Sequence, residues 1–181
     1  IFTSSQLVCR IGYRPTSFFE FCPPNAYGES KAIGEKIVHS KCNSKYCIVR
    51  PTTVWGPGMS DHYKRFFYAI VRGHYFHSGD CNILKDYGFL DNVVAQISSI
   101  LKARSAVRVG EVFYLADYQP INLKLFVDDF AHEFGVSRPI TLLLPVCYVL
   151  AAVGSLVARF RTFPYTLFRL KNIRTAYRVP L

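Results

Sequence analysis

Apolar residues in this chain fall in short blocks, and the period within each block differs. Ile1-Phe2-Thr3-Ser4-Ser5 is apolar until it reaches its hydroxyls, which predicts a short buried parallel strand. A polar, aromatic, proline-bearing loop follows over residues 10–24. Asn25 then stands where a helix N-cap belongs, ahead of Ala26, Ile33 and Ile37 on a helical period, with Glu29, Lys36 and Lys41 toward water. Tyr46-Cys47-Ile48-Val49-Arg50 reads as a second buried strand, stopped by Pro51, which lacks the N–H a ladder needs. Trp55-Gly56-Pro57-Gly58 is a tight turn, and His62-Tyr63-Lys64-Arg65-Phe66-Phe67 with Ile70 and Val71 makes a basic amphipathic helix.

Downstream, Tyr87-Gly88-Phe89 reads as a short strand, and Asp91 as the N-cap of a helix whose inward face is Val94, Ile97, Ile100 and Leu101. Gly110 to Ala116 is a further strand. Ile121 to Phe134 is amphipathic, with Leu125, Val127, Phe130 and Ala131 as its apolar members. Leu142 to Ala158 is the most apolar run and sits at the lower limit for crossing a bilayer, but Pro145 near its start and Gly154 favour a packed helix. Strands alternating with helices place the chain in the α/β class.

Composition narrows the picture. The chain has 181 residues, half of them apolar and 19% charged, which suits a globular protein. Its formal charge of +10 fits an anionic ligand such as a nucleotide diphosphate, and equally a nucleic acid or an anionic membrane. The basic residues are scattered and no nucleic-acid-binding signature is present, so nucleic acid is disfavoured. The six cysteines form no Cys-x-x-Cys pair and no signal peptide opens the chain, which indicates a reduced, cytoplasmic setting. His74 and His77 have no partners at metal-ligand spacing; no metal is expected, and both read as surface or ligand-contact residues.

The candidate chemistry lies in Tyr27-Gly28-Glu29-Ser30-Lys31. Residues four apart on a helix share a face, so the Lys31 ammonium reaches the region of the Tyr27 hydroxyl and favours its phenolate as a base. By itself this spacing also describes an ordinary exposed helix face.

Three ordered elements sharpen it: Ser4-Ser5-x-x-Val8, Tyr27-x-x-x-Lys31 and Arg50-Pro51-x-x-Val54-x-Gly56-Pro57-Gly58. Together they resemble the second half of an extended short-chain dehydrogenase/reductase of the NAD-dependent epimerase/dehydratase type. The likeness implies a partial Rossmann-type, doubly wound parallel sheet with a small, mostly helical substrate domain. Residues 1–58 would be the second half of the Rossmann-type domain, 59–118 a substrate segment and return to the sheet, and 119–181 the small C-terminal domain. It implies Tyr27, Lys31 and Ser5 as catalytic residues, with Tyr27, Lys31, Ser4, Pro51, Thr52 and Val54 meeting NAD or NADP. Ser5, Lys64 and Arg65 would meet substrate.

Gln6-Leu7 stands where the dehydratases of that family carry Asp-Glu, so elimination of water is disfavoured. Cys9 replaces a common tyrosine and reads as packing. The chain has no Gly-x-Gly-x-x-Gly turn, so it reads as a fragment that would be inactive alone. The expected substrate is a small molecule, a nucleotide sugar first, with epimerase and dehydrogenase or reductase chemistry both open. A hydroxysteroid-type alcohol, with the apolar run facing lipid, is the alternative; a truncated non-catalytic binding module is another. A homodimer is compatible, and membrane attachment is disfavoured.

Overall fold

The computed structural model describes residues 1–80, 82–117, 119–161 and 163–179, and the side chain of His62 is also outside the description. Cys81, one of the six cysteines, therefore lies outside the described residues. In chain order the elements are β1 (Phe2–Thr3), a single tight helical turn (Gln6–Val8), α1 (Ala26–Lys41), β2 (Cys47–Pro51), β3 (Thr53–Trp55) and α2 (Asp61–Val71). β4 (His77–Ser78), β5 (Leu84–Lys85), β6 (Tyr87–Phe89), α3 (Leu90–Lys102) and β7 (Glu111–Leu115) follow. The chain continues through β8 (Ile121–Asn122), α4 (Leu123–Glu133), β9 (Thr141–Leu142), α5 (Leu144–Val157) and α6 (Leu167–Arg174).

These elements form two units. The first comprises Ile1–Met59, Asp86–Pro120 and Tyr177–Leu181. Its centre is a parallel sheet in the order β1-β2-β7, with Thr3 opposite Val49 and Val49 opposite Phe113. Successive side chains of a strand point to opposite faces. Val49 accordingly packs with Val93, Leu115, Ile97 and Ile100 on the α3 side, while Arg50 turns to Glu35 of α1 on the other. Helices therefore cover both faces, the doubly wound arrangement. β6 pairs in parallel with β3 in a separate two-stranded sheet rather than joining the three-stranded one.

Local chemistry explains several boundaries and overturns four expectations. Asn25 caps α1, its Oδ1 accepting from Gly28 N at 2.9 Å. The inward face of α1, however, is Gly28, Ala32 and Glu35, and Ile33 and Ile37 are half exposed. Small side chains let the helix backbone approach: a Cβ on Gly28 would stand 2.1 Å from the Leu7 carbonyl oxygen. Asp91 lies inside the first turn of α3 and is not its cap; the long-range carboxylate of Asp117 accepts from Phe89 N at 3.0 Å and from Asn92 Nδ2 at 2.7 Å. Val93, Ile97 and Ile100 face inward on α3, and Val94 and Leu101 do not, being more than half exposed. β1 is shorter than the expected five residues because Ser5 already caps the turn Gln6–Val8.

The second unit comprises Ser60–Lys85 and Ile121–Ala176. β4 pairs with β9 in parallel and β5 with β8 antiparallel, the latter taking Ile121 and Asn122 from the start of the expected helix. α2 meets α4 through Phe67, Phe126 and Phe130. Within the apolar run, α5 has Pro145 in its first turn and buries Cys147, Ala151 and Gly154 beside Leu170 of α6. Among the described residues, no helix is long and apolar enough to cross a membrane. His77 is a buried residue, not a surface one: its Nε2 lies 2.8 Å from Asp128 Oδ1. Lys85 is buried too, its Nζ donating to the Asn172 carbonyl at 2.6 Å and to the Thr175 carbonyl at the end of α6.

Candidate active site

The carboxyl end of the parallel sheet in the first unit gathers hydroxyls. Ser4 N donates to the Val49 carbonyl at 2.8 Å, extending the β1–β2 ladder by one residue. The buried Ser4 Oγ has no hydrogen-bonding partner among the described residues, and neither has the Oε1 of buried Gln6. Ser5 Oγ accepts from Leu7 N at 3.2 Å, and Gln6 Nε2 donates to Thr53 Oγ1 at 3.5 Å. Unpartnered buried polar atoms are rare in folded proteins, and here they cluster beyond the strand ends where α/β sheets bind ligands.

α1 brings its own pair to this end. Lys31 Nζ donates to the Thr3 carbonyl at 3.2 Å, which fixes the ammonium at the last residue of β1. The same ammonium stands 5.8 Å from the centre of the Tyr27 ring, and Tyr27 is 54% exposed. Phenol, ammonium and strand end therefore share one neighbourhood. Thr52 is buried, its N and Oγ1 both donating to the Leu115 carbonyl at 3.1 Å, so Pro51–Thr52 closes against β7. Val54 turns its side chain into the Val49–Val93–Leu115 core. Lys64 and Arg65 belong to the second unit, on α2, where Lys64 Nζ pairs with Asp61 Oδ1 at 3.1 Å. Among the described residues, no three His, Cys, Asp or Glu side chains converge as a metal site would require.

One buried pair braces α1 against β2 beside this constellation. Arg50 Nε and Nη2 donate to the two carboxylate oxygens of Glu35 at 2.9 and 2.6 Å. Nη1 donates to Tyr114 Oη at 2.9 Å and Nη2 also to the Phe18 carbonyl at 2.7 Å. The guanidinium lies between the Phe21 and Tyr114 rings, at 5.7 and 5.5 Å. Burial is the largest single influence and opposes its charge, but the bonds and attraction from Glu35 and Tyr114 together outweigh it and hold its pKa above the ordinary arginine value. An arginine in an otherwise apolar strand, with a glutamate two turns beyond Tyr27, was the available signal. Burial likewise raises the Tyr114 hydroxyl above the usual tyrosine range.

The parallel sheet covered by helices on both faces is a Rossmann-type arrangement of the short-chain dehydrogenase/reductase class. Residues 15–146 match the 3-beta hydroxysteroid dehydrogenase/isomerase family, and the chain belongs to that family. Short-chain dehydrogenase/reductase family 42E member 1 from Bos taurus is 27% identical over 171 residues, covering 84% of this chain and 44% of that protein. A 3-beta-hydroxysteroid dehydrogenase from Mycolicibacterium neoaurum is 27% identical over 105 residues, covering 54% of this chain and 28% of that protein. The chain thus spans less than half the length of these relatives. Among solved structures, the UDP-glucuronic acid 4-epimerase from Bacillus cereus, in complex with NAD, superposes with a TM-score of 0.62 at 18% identity, covering 78% of this chain and 47% of that one. RMD from Pseudomonas aeruginosa complexed with NADPH gives 0.57 at 19%, covering 78% and 52%.

Proposed function

We propose that this chain supplies the proton-transfer machinery of an NAD(P)-dependent oxidoreductase whose substrate is a secondary alcohol or the corresponding ketone. The reading is carried by the placement of Tyr27 and Lys31 at the carboxyl end of the parallel sheet, beside Ser4 and Ser5. Tyr27 takes the hydroxyl proton of the alcohol, or returns it to the carbonyl oxygen in reverse. Ser5 donates its hydroxyl hydrogen to that oxygen as its bonding changes, while its Oγ accepts from the Leu7 amide. Lys31 places positive charge beside the phenol as the proton moves.

Two features suit a nicotinamide nucleotide: the buried Ser4 hydroxyl without a partner among the described residues, and an ammonium on Lys31 with three donors and a single carbonyl acceptor there. Tyr27, Lys31 and Ser4 would hold its ribose and ring, with the backbone of Pro51, Thr52 and Val54 as further contacts. When bound, the cofactor takes hydride from the substrate carbon or gives it back.

Membership of the 3-beta hydroxysteroid dehydrogenase/isomerase family supports a hydroxysteroid-type substrate. A second reading keeps a nucleotide sugar, with epimerase or reductase chemistry; the +10 charge, which suits an anionic diphosphate, supports it. The free thiols of Cys9, Cys22, Cys42, Cys47 and Cys147 agree with a cytoplasmic protein. The test is a substrate panel on the intact protein that carries this chain, following NAD(P)H absorbance with 3β-hydroxysteroids and sugar isomer ratios with nucleotide sugars. Tyr27→Phe should lower turnover on the order of 100-fold or more, with substrate affinity little changed. Unchanged turnover in that variant would remove Tyr27 from the reaction, and inactivity on both panels would reject both substrate readings.

A further inference from the structure

Cys9 and Cys22 face each other across an isolated parallel bridge in the first unit. Arg10 N donates to the Cys22 carbonyl at 2.7 Å and Cys22 N to the Val8 carbonyl at 2.9 Å, so Cys22 sits directly opposite Cys9. Opposed residues on adjacent strands project from the same side, with Cα atoms about 4.8 Å apart. That spacing falls inside the disulfide range of roughly 4.4 to 6.8 Å. Both are free thiols, Cys9 buried and Cys22 partly exposed.

We propose that Cys9 and Cys22 form a reversible intramolecular disulfide. Bonding requires the two Cβ atoms to close to about 3.8 Å. A regular ladder would resist that movement, but among the described residues only the two backbone bonds named above join these segments. Glu20 gathers Tyr13 Oη, Thr16 N and Thr16 Oγ1 within the loop between them. Cys9 Sγ lies against the Glu20 carbonyl at 3.3 Å, and Val8, Ala32, Tyr13 and Phe21 shield it from solvent. Cys22 is thus the sulfur that a soluble oxidant meets first.

With a low-molecular-weight disulfide such as oxidised glutathione, the Cys22 thiolate attacks one sulfur, forms a mixed disulfide and releases one glutathione thiolate. Cys9 then loses its proton, and its sulfur attacks Cys22 Sγ and expels the second glutathione. Two protein thiols are oxidised and one glutathione disulfide is reduced to two thiols. Burial raises the Cys9 pKa, which agrees with its acting second, after the mixed disulfide has formed next to it. The bond closes the loop whose Phe18 carbonyl holds Arg50, and Pro23, the residue after Cys22, abuts Gly28 of α1, so oxidation clasps the segment that buttresses the Tyr27 helix. The thiol pair is independent of the catalytic reading.

The test treats the intact native protein that carries this chain with oxidised glutathione, blocks residual thiols and digests it with trypsin without reduction. The expected product is the peptide ending at Arg10 joined to the peptide Ile11–Lys31, lost on dithiothreitol treatment and absent in Cys22→Ser. Cys42→Ser should leave it intact, and oxidation in strong urea should scatter the pairing among the cysteines. A stable glutathione adduct on Cys22 with Cys9 still free, or both thiols unmodified, would overturn the proposal. So would the same peptide yield in urea as in native buffer, because the folded register would then not be selecting the pair.

Discussion

Glu35→Ala would leave the fully buried Arg50 guanidinium without its counter-charge. In the native protein four hydrogen bonds hold this group: two to Glu35, one to Tyr114 Oη and one to the Phe18 carbonyl. Removing the carboxylate orphans Nε and one Nη2 hydrogen in a place that solvent does not reach, since Arg50 is 0% exposed and Glu35 3%. Breaking such a buried pair from one side costs about 3 to 5 kcal/mol, because the remaining charge is uncompensated. That is a large share of a single domain's stability. Glu35→Leu combined with Arg50→Met should recover most of the loss, because desolvation of the pair is then removed together with its attraction. Urea unfolding of the native protein, Glu35→Leu, Arg50→Met and their combination in a double-mutant cycle, with Glu35→Ala alongside, followed by circular dichroism, measures the coupling. A Glu35→Ala loss under about 1 kcal/mol, or a double variant no more stable than Glu35→Ala alone, would refute the account of a charge held by its partner.

Other outcomes follow from single features. Gly28→Ala should destabilise by about 1 to 3 kcal/mol in the same assay, because its Cβ would meet the Leu7 carbonyl oxygen at 2.1 Å and backbone must move; a gain in stability from the better helix former would contradict this. Asp117→Ala should cost about 1 kcal/mol by uncapping α3 at Phe89 N, seen as a lower urea midpoint. Burial pushes the Lys85 pKa down to about 8, below its value in the unfolded chain. Between that pH and the ordinary lysine range near 10.5, the unfolded chain binds the extra proton, so stability rises with pH through this window, by at most about 3 kcal/mol. Urea midpoints at about pH 7 and about pH 10 test the sign, and the rise should vanish in Lys85→Met.

The parts of this fold that were readable in the sequence are those decided locally. Asn25 announces α1 because its side chain serves an amide three residues on, and the apolar run from Cys47 to Val49 announces a strand buried on both faces. Ile33 and Ile37 misled because hydrophobicity alone does not say which stripe of a helix touches the sheet. Gly28 and Ala32 won that face by being small, and Glu35 by having Arg50 to meet. Asp91 looked like a cap, while the group that satisfies the start of α3 lies 28 residues beyond Phe89, on Asp117. At the candidate site the ordered motifs marked Tyr27, Lys31, Ser4 and Ser5. The bond of Lys31 to the Thr3 carbonyl and the buried partners of Lys85 depend on tertiary approach and had no pattern to betray them.

The alternation along β2 bears on how the chain avoids folding wrongly. Val49 faces the apolar side of α3 and Arg50 faces Glu35. A slip of one residue against β1 and β7 would exchange these faces, driving a guanidinium into the Val93–Ile97–Ile100 contact and setting a valine against a buried carboxylate. Neither charge would have a partner, so the misaligned sheet is penalised twice for a single error. The pair thereby works as a proofreading element for strand register, rejecting off-by-one assemblies that a strand of uniform valine and isoleucine would tolerate.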